Sequence, residues 1–177
     1  MSNWNKIFKP IVVLCVICIV VTGALAATNG MTAPIIEAAT LAAQEAARTE
    51  LLPDAQGFEK VEGVDVANVS DVYRTTNDVG VVITSSAKGY GGDVVVMTAI
   101  TPDGTIKQIK VTEQYETKGI GSNVVSTPSY WERYEGVSAG QALVLNQDID
   151  AYSGATISSK ALLSAVNSAI EAYNQIP

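Results

Sequence analysis

The stretch between Pro10 and Gly30 contains no charged residue, and its first half is almost purely aliphatic. A run of about 20 uncharged residues is long enough for an α-helix to cross the hydrocarbon core of a bilayer. Lys6 and Lys9 precede the run, and lysines beside a membrane helix favour the cytoplasmic side. Residues 1–30 are therefore predicted to be a single-pass anchor in the cell membrane, with a cytoplasmic N-terminus and an extracytoplasmic remainder.

A cleaved secretory signal peptide is the alternative interpretation of this segment. Residues 24–26 read Ala-Leu-Ala, which has the spacing of a cleavage site, and a short apolar core precedes them. The apolar run does not stop cleanly there, and the sequence continues from Met31 without a break suited to a mature N-terminus. We therefore favour the uncleaved anchor.

The charge balance and the absence of histidine exclude several classes of function. Residues 1–29 contain two lysines and no acidic residue, which leaves 9 basic and 18 acidic residues in the remainder, a net charge of −9. A domain this acidic repels nucleic acid, so we predict no nucleic-acid partner. The absence of histidine excludes Ser-His-Asp hydrolysis and histidine metal sites, and we predict no metal site. Any redox or transfer chemistry therefore requires a cofactor.

The only cysteines, Cys15 and Cys18, both lie in the apolar run. At a spacing of three residues they share one face of a helix, and we interpret them as small apolar packing residues. The extracytoplasmic part has no cysteine, so its fold does not depend on disulfides.

A second helix is predicted after the anchor, over residues 31–52, where small and aliphatic residues recur at helical spacing. Thr32 is a suitable cap, Pro34 suits a first turn, and Pro53 ends the pattern. We interpret residues 31–56 as a stalk that packs on the domain that follows.

The remainder, residues 57–177, is predicted to form one α+β domain. Runs of β-branched residues indicate consecutive strands, and the sequence Pro-Asp-Gly at residues 102–104 is a hairpin signal. The predicted strands cover residues 69–75, 79–85, 93–100, 105–113 and 143–145, and the predicted helices cover residues 129–134 and 157–173. Consecutive strands of this kind indicate a twisted antiparallel sheet packed with helices, preceded by one N-terminal transmembrane helix.

The segment from Asp150 to Thr156, Asp-Ala-Tyr-Ser-Gly-Ala-Thr, directly precedes the last predicted helix. Gly154 and Ala155 allow close approach of the backbone, and the first N–H groups of a helix lack internal partners and favour an anion. The Thr156 hydroxyl could cap the helix, donate to a phosphate, or be esterified by one. The simpler alternative is that Ser153 or Thr156 only caps the helix.

Two glycine-containing segments lie earlier in the chain. Residues 88–92 read Lys-Gly-Tyr-Gly-Gly between two predicted strands, and their glycines allow positive φ and close approach of another group. Residues 116–121 read Glu-Thr-Lys-Gly-Ile-Gly. Taken alone, the first is also typical of a flexible hairpin tip, and the second of a tight turn with a solvated Glu116.

The segment before the last helix resembles the flavinylation motif of the flavin mononucleotide (FMN)-binding domain family, which reads Asp, two free positions, Ser or Thr, Gly, Ala, Thr. In that family a flavin transferase joins the FMN phosphate to the motif threonine as a phosphoester. The resemblance implies that Thr156 is the attachment point. It also implies recognition and positioning roles for Asp150, Ser153, Gly154 and Ala155.

The same family has a Gly-Tyr-Gly-Gly turn ahead of its central strand and a Glu-Thr-Pro-Gly-Leu-Gly loop against the flavin. By this resemblance, the further cofactor-binding residues are Tyr90, Glu116, Thr117, Gly119 and Gly121. Lys118 stands where the family has proline, which frees φ and loosens the loop. Ile120 stands where leucine is usual, which is a mild change.

Within the family, the chain resembles the RnfG proteins of the Rnf complex, an ion-translocating ferredoxin:NAD oxidoreductase. NqrC, from the sodium-pumping NADH:quinone oxidoreductase, is a cousin. The short domain, the single anchor and the Leu-Leu-Pro-Asp stretch at residues 51–54 suit RnfG. The resemblance implies an electron-transfer subunit with covalent FMN, not catalytic alone, that moves electrons from ferredoxin towards NAD. Its expected partners are other membrane subunits and the flavin transferase.

Four alternatives remain open at this point. The chain could be a free-standing extracytoplasmic flavinylated electron carrier, or an NqrC-like subunit of a sodium-pumping NADH:quinone oxidoreductase. It could also bind FMN without a covalent bond. It could also be a membrane-tethered binding module without flavin, in which Thr156 is only a helix cap.

Overall fold

The computed structural model describes residues 3–119 and 121–176, which divide into two compact units, one ending at Ala43 and the other beginning at Gln44. The helices are α1 (Asn3–Leu51), α2 (Ser122–Val125), α3 (Pro128–Trp131), a 3-10 turn (Glu132–Tyr134) and α4 (Thr156–Tyr173). The strands are β1 (Phe58–Lys60), β2 (Val69–Thr75), β3 (Val81–Lys88), β4 (Asp93–Ile100) and β5 (Ile106–Glu113). The α+β class predicted from the sequence is confirmed.

Helix α1 runs without interruption through the segment where a separate second helix was expected. The Thr32 hydroxyl does not cap a new helix, because it donates to the carbonyl oxygen of Thr28 at 3.0 Å, within the preceding turn. Pro34 lies in the helix interior, where its missing N–H removes one helical hydrogen bond without ending the helix. Among the described residues, α1 is the one helix that is long and apolar enough to cross a membrane.

The five strands form a simple antiparallel meander in the order β1-β2-β3-β4-β5. The β3–β4 pair is in register along its whole length, from Val81 opposite Ile100 to Lys88 opposite Asp93. The expected hairpin after β4 is confirmed, since the Thr101 N–H donates to the Thr105 carbonyl oxygen at 2.9 Å. This hairpin therefore lies between two strands, β4 and β5, that the sequence pattern had already separated.

Successive side chains of a strand point to opposite sides of the sheet, so the central strands contribute side chains to both faces. Both of these faces are buried. Helix α4 packs on one face, with Leu162 and Val166 in the same apolar cluster as Ile83 and Val96. The last turns of α1 pack on the other face. That second cluster consists of Ala47, Leu51, Leu52, Val82, Met97 and Ala99. Burial on both faces explains why β4 reads as a nearly continuous apolar run.

The strand predicted over residues 143–145 is not formed. The side-chain amide of Asn167, on α4, accepts from the Leu143 N–H at 2.8 Å and donates to the Leu143 carbonyl oxygen at 2.9 Å. Because one side chain satisfies both backbone groups, Leu143 needs no neighbouring strand. Only a single bridge, between Leu145 and Ile149, remains in this segment.

Candidate functional site

The chain enters α4 through a tight turn built around Gly154. The Ala155 N–H donates to the Tyr152 carbonyl oxygen at 3.0 Å, and Gly154, the third residue of this turn, has a φ of +80°. This geometry is typical of a type II turn, whose third position favours glycine because other residues pay a steric cost there. The turn places Thr156 at the first position of the helix.

No side chain caps the start of α4. The capping position, Ala155, has a methyl side chain and no capping hydrogen bond, and the first turn contains no acidic residue. Neither Ser153 nor Thr156 provides the cap that the simpler alternative required, and both side chains are exposed. The first N–H groups and the positive end of the helix dipole therefore remain available to an anion beside the Thr156 hydroxyl.

Ser159 fixes this turn to the helix, and the sequence analysis did not identify it. Its buried hydroxyl accepts from the Tyr152 N–H at 3.0 Å and donates to the Ala155 carbonyl oxygen at 3.0 Å. One side chain thus satisfies a donor and an acceptor at the two ends of the turn. The available signal was a serine at a core position of an otherwise apolar helix face.

Glu116 is the centre of the second part of the site. Its side chain is only 7% exposed, and its Oε1 accepts from the Tyr90 N–H at 2.8 Å. A side chain added at Gly89 or Gly121 would collide with the Glu116 carboxylate. The alternative of a solvated Glu116 in a simple turn is therefore wrong, and both glycines are needed for space.

The other carboxylate oxygen, Glu116 Oε2, is buried and has no hydrogen-bond partner among the described residues. A buried acceptor without a donor is costly. A ligand that brings an N–H or O–H to this point would remove that cost. Glycine is also required for space at Gly91, because an added side chain there would collide with the Tyr115 carbonyl oxygen.

A cavity of about 520 Å³ brings all three predicted segments together. Its lining residues are Tyr90, Glu116, Thr117, Gly121, Gly154, Ala155, Thr156, Ile157 and Ser158. The volume lies in the range typical of small-molecule and cofactor sites. The cavity combines an uncapped helix start with apolar and aromatic side chains, as a phosphate joined to a flat heteroaromatic ring requires.

Three of the ten predicted site residues do not line this cavity. Gly119 is exposed with a φ of +85°, and its N–H donates to the Ser122 Oγ at 2.9 Å. Ser153 and Asp150 also have exposed side chains, and Ile120 lies outside the described residues. Gly119, Ser153 and Asp150 therefore belong to the loops around the cavity and not to its wall.

An aromatic cluster of Tyr130, Tyr134 and Tyr152 supports the loop before α4. Tyr130 donates its hydroxyl to the Asp150 carbonyl oxygen at 2.9 Å, and its ring meets that of Tyr152 edge to face at 5.8 Å between centroids. Tyr134 packs edge to face on Tyr130 at 6.5 Å, and burial raises the pKa of the Tyr134 hydroxyl. The cluster positions the segment that precedes Thr156.

Comparison with known protein families gives two matches along the chain. Residues 89–171 match the FMN-binding domain, and residues 1–51 match the RnfG N-terminal region. The first match contains all three segments that line the cavity, and the second ends at the last residue of α1.

Several whole-length relatives are similar to the chain, and each is the component designated G of an ion-translocating oxidoreductase complex. The chain is 33% identical to that of the Na(+)-translocating ferredoxin:NAD(+) oxidoreductase of Acetobacterium woodii, over 98% of this chain and 95% of the relative. It is 32% identical to that of the ion-translocating oxidoreductase of Methanosarcina acetivorans, over 97% and 96%. The counterpart from the proton-translocating complex of Clostridium ljungdahlii is 29% identical, over 96% and 93%.

The fold is also similar to a solved structure. The crystal structure of Shewanella oneidensis NqrC matches with a TM-score of 0.50 and 24% identity, over 70% of each chain. At that identity the likeness shows a shared fold.

Proposed function

The chain belongs to the RnfG family of ion-translocating ferredoxin:NAD oxidoreductase (Rnf) complexes and contains that family's FMN-binding domain, and from this premise we propose that it holds FMN as a phosphoester on Thr156. In this proposal the chain is an electron relay between partner subunits and is not catalytic alone. The flavin-free binding module is disfavoured, because its helix cap is missing.

The observation that supports the attachment site best is the uncapped first turn of α4 beside an exposed hydroxyl. The N–H groups of this turn stabilise the negative charge of a phosphate, and the helix dipole adds to that effect. Thr156 is the residue at which the chain presents a hydroxyl to those N–H groups. Gly154 and Ala155 leave the approach to it open.

The residues around the cavity also fit the rest of the cofactor. Glu116 Oε2 has no donor among the described residues, and the isoalloxazine ring and ribityl chain of FMN both offer one. Tyr90 and Ile157 are exposed at the cavity and provide apolar area against a flat ring. FMN supplies one-electron and two-electron redox chemistry when it is bound, and these residues position it and exclude water.

The location follows from the anchor and the family. We propose that α1 crosses the cell membrane with Lys6 and Lys9 on the cytoplasmic side, which places the FMN-binding domain outside the cytoplasm. Electrons would arrive from ferredoxin and leave towards NAD through other subunits of the complex, coupled to Na⁺ or H⁺ movement. A separate flavin transferase would load the cofactor.

Intact-mass measurement on the protein purified from its native host tests this proposal. The wild type should gain the mass of one FMN less one water, and the Thr156→Ala variant should not. Thr76→Ala is the matched control, because Thr76 is an exposed threonine that does not line this cavity, and its removal should leave the added mass in place. An unmodified, colourless wild type from a host that has the transferase would contradict the proposal.

A further inference from the structure

We propose that a second cavity, lined by Arg48 on the sheet face opposite α4, binds a carboxylate group. This cavity, called here the Arg48 cavity, has a volume of about 220 Å³. It lies between the last turns of α1, the loop that follows Ala55, and Tyr73 of β2. It shares no lining residue with the cavity at the start of α4.

Arg48 is a buried cation without an anionic partner among the described residues. Its side chain is 9% exposed, and its Nε is buried with no hydrogen-bond partner in that part of the chain. The ion pairs found in the described chain join other residues: Lys60 to Asp71, Lys107 to Asp54, and Lys110 to Glu50. A buried charge without an ion pair, and with a donor left unsatisfied, is strongly unfavourable, and a missing oxyanion would resolve it.

The guanidinium of Arg48 is already oriented for such a partner. Its central carbon lies 4.1 Å from the centroid of the Tyr73 ring, a cation–π contact that holds the side chain in place. Stacking on a ring leaves the in-plane N–H groups free, and these form the two-pronged fork that matches a carboxylate. The chain therefore holds the donor half of an arginine–carboxylate pair in a fixed position.

Position at the end of α1 does not by itself explain the buried Arg48. A cation in the last turn interacts favourably with the helix dipole, but this effect is modest and provides no acceptor for Nε. Glu45 also lines the cavity, yet its side chain is exposed and lies beyond ion-pair distance of the guanidinium. A carboxylate bound in the cavity would provide Nε with the acceptor that it lacks among the described residues.

The chemistry of the cavity favours a carboxylate over a phosphate. One guanidinium balances a single negative charge, and Glu45 and the net charge of −9 beyond residue 29 oppose a doubly charged ligand. The Gln56 side chain also lines the cavity, and its amide is suited to donate to a carboxylate oxygen. A small carboxylic acid or an Asp or Glu side chain from a neighbouring protein of the complex would both supply this group.

Thermal unfolding of the full-length chain in detergent tests the free-acid source. Sodium acetate and sodium propionate are compared with sodium chloride at equal ionic strength, in wild type, Arg48→Met and Arg133→Met. Arg133 is the matched control, because it also stacks on a tyrosine, Tyr130, at 5.1 Å but is exposed. A free-acid site predicts a rise in Tm of about 3 °C or more in wild type and Arg133→Met, and none in Arg48→Met.

The assembled complex tests the neighbouring-protein source. If the carboxylate belongs to a neighbour, free acids leave Tm unchanged, and Arg48→Met lowers co-purification of the other subunits at least tenfold while Arg133→Met does not. The proposal is overturned if Arg48→Met behaves like Arg133→Met in both experiments.

Two further measurements keep the proposal testable if Arg48→Met folds poorly. The ¹⁵N-detected Nε–H resonance of wild-type Arg48 should shift on addition of acetate or on assembly, and a resonance that stays in place in both overturns the proposal. Glu45→Gln should strengthen carboxylate binding or assembly by removing a like charge. A loss of stability in Glu45→Gln as large as in Arg48→Met would identify Glu45 as the internal partner and would also overturn it.

Discussion

At the residue scale, Glu116 shows how one charged side chain can require glycines in two different loops. Gly89 comes from the β3–β4 turn and Gly121 from the loop after β5, and both face the same buried carboxylate. Neither has a positive φ, so space and not backbone conformation demands glycine at these positions. The two glycine segments are therefore parts of one packing arrangement.

Gly121→Ala should destabilise the domain by about 1–3 kcal/mol, because the new methyl group collides with the buried Glu116 carboxylate and the buried Ser158 hydroxyl. Flavin content should fall with it, since Glu116 lines the cavity at Thr156. Urea unfolding and absorbance of the flavin in visible light measure the two effects. Gly140→Ala is the control, because a side chain there meets only Ser138, at its hydroxyl. Equal stability of the two variants would contradict this account.

At the element scale, the junction between the last loop and α4 depends on one hydroxyl. Ser159 bonds both Tyr152 and Ala155, and no side chain caps the start of the helix. A residue within α4, Ser159, therefore fixes the conformation of the loop before Thr156. This arrangement keeps the first N–H groups uncapped and still holds the turn in place.

Ser159→Ala should cost about 1–2 kcal/mol of unfolding free energy, because the Tyr152 N–H loses its acceptor in a partly buried position. The yield of the FMN adduct should fall as well, since the segment before Thr156 becomes mobile. Ser164→Ala, an exposed serine on the same helix, is the control and should change stability by less than about 0.5 kcal/mol. Chemical denaturation measures the unfolding free energy, and intact mass measures the yield of the adduct. Full adduct formation in a destabilised Ser159→Ala variant would show that Ser159 contributes to packing and not to the positioning of Thr156.

At the scale of the whole molecule, the sheet is covered by two helices that come from opposite ends of the chain. Helix α4 covers one face, and the last turns of α1 cover the other. The end of the N-terminal helix thus belongs to the folded domain as well as to the segment that connects it with the predicted anchor. The compact unit accordingly begins at Gln44, before α1 ends.

A chain truncated to begin at Gln44 should fold cooperatively, because it retains the apolar cluster on both faces of the sheet. A chain that begins at Pro53 should be less stable by roughly 3–6 kcal/mol, since it loses the fully buried Leu51 and Leu52. Urea unfolding of the two truncated chains measures the difference. Equal stability would show that the last turns of α1 are not part of the core.

Sequence alone accounted for the features that depend on neighbouring residues. Strand β4 and the β4–β5 hairpin were predicted within a residue of their observed ends, because alternation and turn residues act over a few positions. The uncharged run of α1 is also a local property. For the same reason the segment around Thr156 could be identified before its surroundings were known.

The tertiary structure decided everything that depends on contacts between distant segments. Sequence could not show that Glu116 is buried between two glycine segments, or that Asn167 replaces a strand partner for Leu143. It also could not show that Ser159 holds the loop or that the buried Arg48 Nε lacks an acceptor among the described residues. Each of these facts depends on which side chains meet across the fold. Local backbone preferences carry no information about these tertiary contacts, because packing and buried hydrogen bonding arise only when the whole chain is folded.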